Sequence, residues 1–473
     1  MRMRTHVSLA SVLLISSALL AAQRPAGGPA GPLPDQAVAD AFSMALTGDS
    51  IITRRLSVYT EPAFLRMIGL IRGADVAFTN LEMLFHDYEP YPMNESGGTY
   101  MRADPALAKE LVWAGFDLVS RANNHSGDYG VEGMRLTTKH VAAAGLVQAG
   151  VGESLLEARE PKFLEAARAR VALISVASTF PDHSRAGRSR GDMPARPGLN
   201  PLRYTTTYTT TPDGLAKLRE ALTASGLAGG GRGGSAPQGA PQSLNVLGTR
   251  VVAGDTPGIR TAPHEGDLKE IAAAVRGAAR LADYTIVAIH SHEGNRDRLV
   301  PAQFLVTFAR AMVDSGADVF VGHGPHVLRG IEVYKGKPIL YSLGDFIFQN
   351  ETLLRLPSEN YEPYNLGADA HVADFNDRRY DGDRRGFPAD PLIWQAVIAV
   401  PRFRGKTLVE LALHPTSLGH GKPAFERGRP MPAEPEMGKK IIDDLIRLSE
   451  PFGTRITYRD GVGYVDLAAG RTK

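Results

Sequence analysis

Hydrophobic positions along this chain follow two rhythms that take turns. Short apolar or β-branched runs at 43–46, 76–78, 117–120, 147–149, 171–176, 284–289 and 319–321 read as strands. Between them lie stretches with apolar residues at helical spacing. Residues 62–71 carry Phe64, Leu65, Ile68 and Ile71; a helix opened by Asp104-Pro105 is closed by Gly115; 131–144 stops at Gly145; 266–282 follows; and 301–315 faces Phe304, Leu305, Phe308 and Met312 inward. This alternation predicts βαβ units and a mostly parallel sheet. Further on, 331–334 and 338–342 read as a hairpin around Lys335-Gly336, and 394–400 with 407–413 as a second strand pair. A helix at 438–449 buries Ile441, Ile442, Leu445 and Leu448, and late edge strands fall near Ile456 and 464–467.

Four stretches interrupt the rhythm. Residues 1–22 carry Arg2, Arg4 and His6, then the apolar run 7–20, then Ala21-Ala22, the layout of a secretory signal peptide too short in its apolar part for a spanning helix. An exported protein is therefore expected, periplasmic, extracellular or at the cell surface. Residues 23–37, rich in Pro, Gly and Ala, read as a flexible leader, and the Gly-rich stretch at about 226–243 as a surface excursion. Residues 351–391 read as an irregular, partly mobile insertion with solvated charges. The folded unit is thus expected to start at 38, with 38–350 as its main body and 392–473 completing the same domain.

Composition narrows the partners. Among 473 residues, 53 Lys and Arg nearly balance 51 Asp and Glu, which gives no nucleic-acid footprint. The chain has no cysteine, so disulfides and thiolate metal sites are excluded. A metal must be held by His, Asp, Glu or Asn, which suits Zn, Mn, Fe or Mg.

Candidate chemistry sits where strands end. The first predicted strand runs into Thr47-Gly48-Asp49, the second into Asn80-Leu81-Glu82, and the third into Asn123-Asn124-His125. In α/β sheets ligands bind at the carboxyl ends of strands. Alone, Asp49 reads as a helix N-cap or Asx-turn and the Asn pair as turn chemistry. His290 and His292 share one face of a strand, a two-point chelate, and the Gly322-His323-Gly324-Pro325-His326 loop brings two imidazoles together in a tight turn. Asp345, at the end of the hairpin, adds a carboxylate to the same neighbourhood as a further ligand or a turn acid. Metal ligands are therefore expected to be Asp49, Glu82, Asn124, His290, His323 and His326, with His125 or His292 as acid or base. Arg196, in a turn-rich loop, is a candidate contact for an anionic substrate or else a solvated charge.

Taken in order, Thr47-Gly48-Asp49, Asn80-Leu81-Glu82, Ala122-Asn123-Asn124-His125 with Asp128-Tyr129-Gly130, Arg196-Pro197-Gly198, His290-Ser291-His292, 322–326 and Ser342-Leu343-Gly344-Asp345-Phe346-Ile347-Phe348 resemble the CapA-type poly-γ-glutamate biosynthesis proteins (PGA_cap), a branch of the calcineurin-like metallophosphatase superfamily. The resemblance implies a four-layer α/β/β/α metallophosphatase-like sandwich with surface insertions, a metal-ligating Asn124, and a His125 that protonates the leaving group. Three features depart from the superfamily pattern: Asp49-Ser50-Ile51 lacks the usual histidine, Glu82 replaces an aspartate, and the Gly-His-x-His motif has one extra residue. Three functions follow as expectations. The first is an exported metal-dependent enzyme acting on a peptide-like or polyanionic polymer such as poly-γ-glutamate. The second is a non-catalytic polymer-binding accessory working beside membrane polymer-synthase subunits. The third is a secreted metallophosphoesterase, which the departures disfavour.

Overall fold

The computed structural model describes residues 40–227 and 243–468. The signal at 1–22, the leader at 23–37 and nearly all of the 226–243 excursion lie outside the described residues. Along the chain come β1 (Phe42–Ile51), α1 (Pro62–Gly73), β2 (Val76–Leu81), α2 (Ala108–Ala114), β3 (Leu118–Ser120), α3 (Gly130–Ala144), β4 (Val147–Ala149), β5 (Lys162–Glu165) and β6 (Arg170–Ala177). After a small subdomain follow α4 (Glu265–Ala278), β7 (Tyr284–His290), α5 (Gln303–Asp314), β8 (Val319–His323), β9 (Ile331–Tyr334), β10 (Lys337–Leu340) and β11 (Asp345–Phe348). The chain closes with β12 (Gln395–Arg404), β13 (Thr407–Ser417), α6 (Pro435–Ser449), β14 (Ile456–Arg459) and β15 (Val462–Val465).

These strands form two sheets. One runs β14-β15-β13-β12-β1-β2-β3-β4, with β11 also pairing β1; the other runs β9-β10-β8-β7-β6-β5. Within each, the strands joined through helices pair in parallel, as a βαβ crossover requires. The late strands β12 and β13 join β1 in antiparallel fashion, so the C-terminal segment extends the first sheet.

Strand residues alternate between two cores, which defines the layers. Met44, Leu46, Val76, Phe78 and Leu118 point into a core shared with Leu173, Ile286, Ala288, Val319 and Val321 of the other sheet. Their neighbours Ala45, Ala77 and Val119 face outward onto Phe64, Ile68 and Ile71 of α1 and Leu111 of α2. On the other side, Ile174, Val287, Ile289 and Phe320 face Ile271 and Val275 of α4 and Phe304, Phe308 and Met312 of α5. The order helix, sheet, sheet, helix is the expected α/β/β/α sandwich.

The structure departs from the sequence expectations at two places and adds a region for which none was made. The first strand does not stop at 46 but runs on to Ile51, with a register shift between Leu46 and Asp49, because β2 and β11 flank its second half. Gly48 permits this: a Cβ there would lie 1.7 Å from the Gly344 carbonyl oxygen. The region 204–263 builds a four-stranded sheet from Tyr204–Thr210, Ser243–Val246, Thr249–Ala253 and Gly258–Pro263, with helix Pro212–Ala224. Its Thr-rich strand Tyr204–Thr210 is half-buried and shows no apolar alternation. The 351–391 insertion is more ordered than expected. Helix Val372–Tyr380 buries Val372, Phe375 and Tyr380, and its charges are partly internal: Arg427, 2% exposed, pairs with both Glu351 and Asp383. No helix among the described residues is long and apolar enough to cross a membrane.

Candidate metal centre

The carboxyl ends of the two sheets converge. From the first sheet come Asp49 inside β1, paired in register with Asn80 of β2 and with Asp345 at the start of β11. Glu82 follows β2 directly, and Asn124 and His125 lie on the loop after β3. From the second sheet come His290 and His323, the last residues of β7 and β8 and register partners, followed by His292 and His326 on the loops beyond. His292 is not on the strand, which ends at His290; the turn after it keeps the two rings together.

His290 sits at the middle. Its Nδ1 lies 3.1 Å from His323 Nδ1 and 3.6 Å from Asp49 Oδ1, and its Nε2 lies 2.9 Å from His292 Nε2 and 3.6 Å from Glu82 Oε1. Potential ligand atoms of Asp49, His290 and His323, of Glu82, His290 and His292, and of Asp49, Glu82 and His326 come within 4.8 Å of one another. Expected ligands from four separate strand ends are thus brought together, and His292 joins the set it was expected to serve as an acid or base. His326 adopts a left-handed backbone, φ 56°, unusual for a non-glycine residue. Its Nδ1 is 2.8 Å from Asp345 Oδ1, and its ring packs against Phe387 of the 351–391 insertion at 5.5 Å.

The two asparagines divide their work. Asn123 braces the turn: its Nδ2 donates to the Leu81 carbonyl at 2.8 Å and its Oδ1 accepts from the His125 N–H at 3.1 Å. Asn124 donates through Nδ2 to the Gly97 carbonyl at 2.8 Å, which leaves its Oδ1 buried without a partner. His125 Nδ1 lies 2.7 Å from Asp128 Oδ2, and its Nε2 faces Glu82 Oε1 at 3.8 Å. Asp128 is itself clamped by the main chain of a strap formed by residues 93–101. Gly97 N–H donates to Oδ1 at 2.9 Å and Met101 N–H to Oδ2 at 2.8 Å.

Burial sets the protonation pattern. Burial and the neighbouring imidazoles hold His292 well below the usual range, burial also lowers His290, and His323 falls to about 3. Burial tends to raise Asp49, but the hydrogen bond and charge of His290, with His323 and His326, hold it below ordinary carboxylates. Glu82 is pushed well above its usual range by burial and by the charges of Asp49 and Asp345, and burial raises Asp345 to about 6 despite His326.

The residues fit a divalent cation. Both Glu82 oxygens, Asp345 Oδ2, Asn124 Oδ1 and His323 Nε2 are buried with no hydrogen-bond partner, a costly arrangement unless a positive charge accepts their lone pairs. Mixed imidazole, carboxylate and amide oxygen suits Zn, Mn, Fe or Mg.

Sequence reasoning named Asn80 and Asp128 in motifs but gave them no role. Asn80 Nδ2 donates to Asp49 Oδ1 at 2.7 Å and so orients that carboxylate. Its place two residues before Glu82, near the end of the strand that leads into it, was the available signal. Arg196 is not brought to the cluster. It is exposed, and its Nε donates to the Arg185 carbonyl at 2.8 Å, bracing its own loop.

The comparisons with known proteins agree with this architecture. A family model described as bacterial capsule synthesis protein PGA_cap matches residues 42–350. The chain is 40% identical over 446 residues to the uncharacterized protein y4sH of Sinorhizobium fredii, spanning 91% of this chain and 94% of that protein. It is 28% identical over 323 residues to the PGA biosynthesis protein CapA of Bacillus subtilis, spanning 65% of this chain and 64% of that protein. It is also 27% identical over 227 residues to the probable polyglutamine synthesis accessory protein MT0602 of Mycobacterium tuberculosis, across 48% of this chain and 43% of that one.

Proposed function

Since the chain belongs to the bacterial capsule synthesis protein family PGA_cap, we propose that it is an exported, metal-dependent enzyme of capsule-polymer metabolism acting on a glutamyl polymer. One observation carries this reading: Asp49, Glu82, His290, His292, His323 and His326, all but His292 buried, form three overlapping triads whose ligand atoms come within 4.8 Å of one another, while both Glu82 oxygens and His323 Nε2 have no partner. Asp49, Glu82, Asn124, His290, His323 and His326 would hold the cation, with His292 beside them. When bound, the cation supplies Lewis-acid polarisation of a carbonyl or similar group.

The chain's own residues supply proton transfer. The Asp128 carboxylate accepts from His125 Nδ1, which fixes the imidazole so that Nε2 faces the cluster and exchanges the proton there. The strap at 93–101 fixes Asp128 in turn, and Asn80 aims Asp49. Together these groups hold a substrate and hand its leaving group a proton.

The test is elemental analysis of the mature chain beside Asp49→Ala and His323→Ala, followed by turnover assays on poly-γ-glutamate. About one or two ions per chain lost in both variants, with turnover that stops on chelation, is the expected result. Turnover undiminished after metal stripping would overturn it. A second reading, a polymer-binding accessory without catalysis, draws support from the name of the Mycobacterium tuberculosis relative, a probable polyglutamine synthesis accessory protein. It predicts polymer binding without turnover, and a His125→Ala variant that retains both binding and cellular function.

A further inference from the structure

β7 ends at His290, and the peptide groups of His292 are held by two side chains from other loops. On one side the His292 N–H donates to Thr179 Oγ1 at 3.0 Å; on the other, Arg329 Nη2 donates to the His292 carbonyl at 3.0 Å. Thr179, two residues past β6, is itself fixed. Its hydroxyl donates to Glu293 Oε1 at 2.9 Å, while the Ser178 and Ser291 hydroxyls each donate to Glu293 Oε2 at 2.8 Å.

Arg329 follows His326 by three residues and is wholly buried. Its guanidinium spreads over three main-chain carbonyls of one loop: besides His292, Nη1 donates to Ser291 at 3.3 Å and Nε to Arg298 at 2.8 Å. Burial lowers Arg329 to about 10 against the charges of Glu293 and Asp297, so it keeps its charge at neutral pH. A buried cation is costly, and an apolar side chain would fill the same space more cheaply. What the guanidinium adds is a rigid fork of donors that ties the His326 loop to the His292 loop.

The structure assigns Arg329, with Thr179 opposite it, as positioning residues that keep His292 among the metal ligands, an inference that rests on the metal-centre reading above. The triad of Asp49, His290 and His323 is carried by strands β1, β7 and β8. In the triad of Glu82, His290 and His292, the third member rides on this clamped loop and depends on the clamp for its place.

The experiment is cobalt titration of the metal-stripped protein, read as affinity and as visible absorption spectrum, for the unaltered chain, His292→Ala, Arg329→Met and the double variant. Each single variant should bind cobalt about 10- to 100-fold more weakly, with the same altered spectrum. The double variant should bind within about threefold of either single one, because both changes remove one interaction. Losses that multiply in the double variant, or an Arg329→Met spectrum unlike that of His292→Ala, overturn the assignment. If Arg329→Met does not fold, the same cycle with Thr179→Val, which trades a hydroxyl for a methyl, decides. Unchanged affinity and spectrum in His292→Ala overturn the assignment and leave the metal centre standing, whereas no cobalt bound by the unaltered protein overturns both.

Discussion

Replacing Gly48 by alanine tests how the first sheet builds the metal centre. The added methyl would lie 1.7 Å from the Gly344 carbonyl oxygen, and contacts of real Cβ atoms begin near 3.0 Å, so backbone must move by about 1.3 Å or more. The obstacle is main chain, not the tip of a flexible side chain. Movement there breaks the Asp49 N–H to Gly344 carbonyl hydrogen bond, 3.2 Å long, and shifts Asp49 against its register partner Asp345. Overpacking of roughly 1–3 kcal/mol and a lost hydrogen bond of about 1 kcal/mol give an expected destabilisation of about 2–4 kcal/mol. The displacement also exceeds the roughly 0.5 Å within which functional constellations must be held, so bound metal should fall well below stoichiometric. Urea unfolding gives the stability and elemental analysis the ion content. Gly69→Ala is the control: on the exposed side of α1, with nothing within 4 Å of the new methyl, it should be neutral or stabilising by up to about 1 kcal/mol. A Gly48→Ala protein with an unchanged urea midpoint and full metal would refute the claim that this close approach shapes the site.

Gly97→Ala should act from outside the ligand set. Its methyl would meet the Asn124 carbonyl at 2.6 Å and Nδ2 at 2.9 Å, displacing the strap that holds both Asn124 and Asp128, and cobalt titration should show affinity reduced about 10- to 100-fold. Glu82→Gln should abolish metal binding yet stabilise the metal-stripped protein. The carboxyl is raised when folded, so its ionisation favours the unfolded chain above its ordinary value of 4.5, and the variant's advantage in urea midpoint should grow from pH 5 to pH 7. An advantage that shrinks over that interval would contradict the burial argument. Because Glu82 is raised by burial and His326 by Asp345 despite its burial, metal binding should release protons from these two groups rather than from His290, His292 or His323, which burial lowers; calorimetry in buffers of different ionisation enthalpy counts them. Asp128→Asn should retain metal but slow turnover, read as a fall in kcat, because His125 loses the carboxylate that orients it.

Much of the architecture could be read before the structure, and the exceptions share a cause. Helices such as 131–144 and 301–315 carry local stop signals and apolar stripes, and buried strands such as 171–176 are continuous apolar runs. These depend on neighbours in sequence. The continuation of β1 through Asp49 depends on β11, far along the chain, and no local pattern announces it. Asp128 owes its placement to main-chain N–H groups of Gly97 and Met101, which any residue type could supply. The strand at 204–210 escaped because half-buried threonines carry neither period clearly. Ligand residues were legible because most lie at or just past a strand's carboxyl end, Asp49 two residues before one. Of the two readings of Arg196 its exposed place matches the solvated charge, because loop course, not residue type, decides what a guanidinium reaches.

The link between Asp49 and the loop of Gly324 has a consequence for how the molecule comes into being. The Gly324 N–H donates to Asp49 Oδ2 at 2.8 Å across 275 positions of sequence, and Asp345 closes the other flank of the same strand. Contacts of such separation form late, after loop-closure entropy has been met and both sheets have docked. A chain interrupted anywhere before Asp345 has no finished centre to load. Metal uptake would therefore report completion of folding: an ion captured means that the first strand and the last parallel one have found each other.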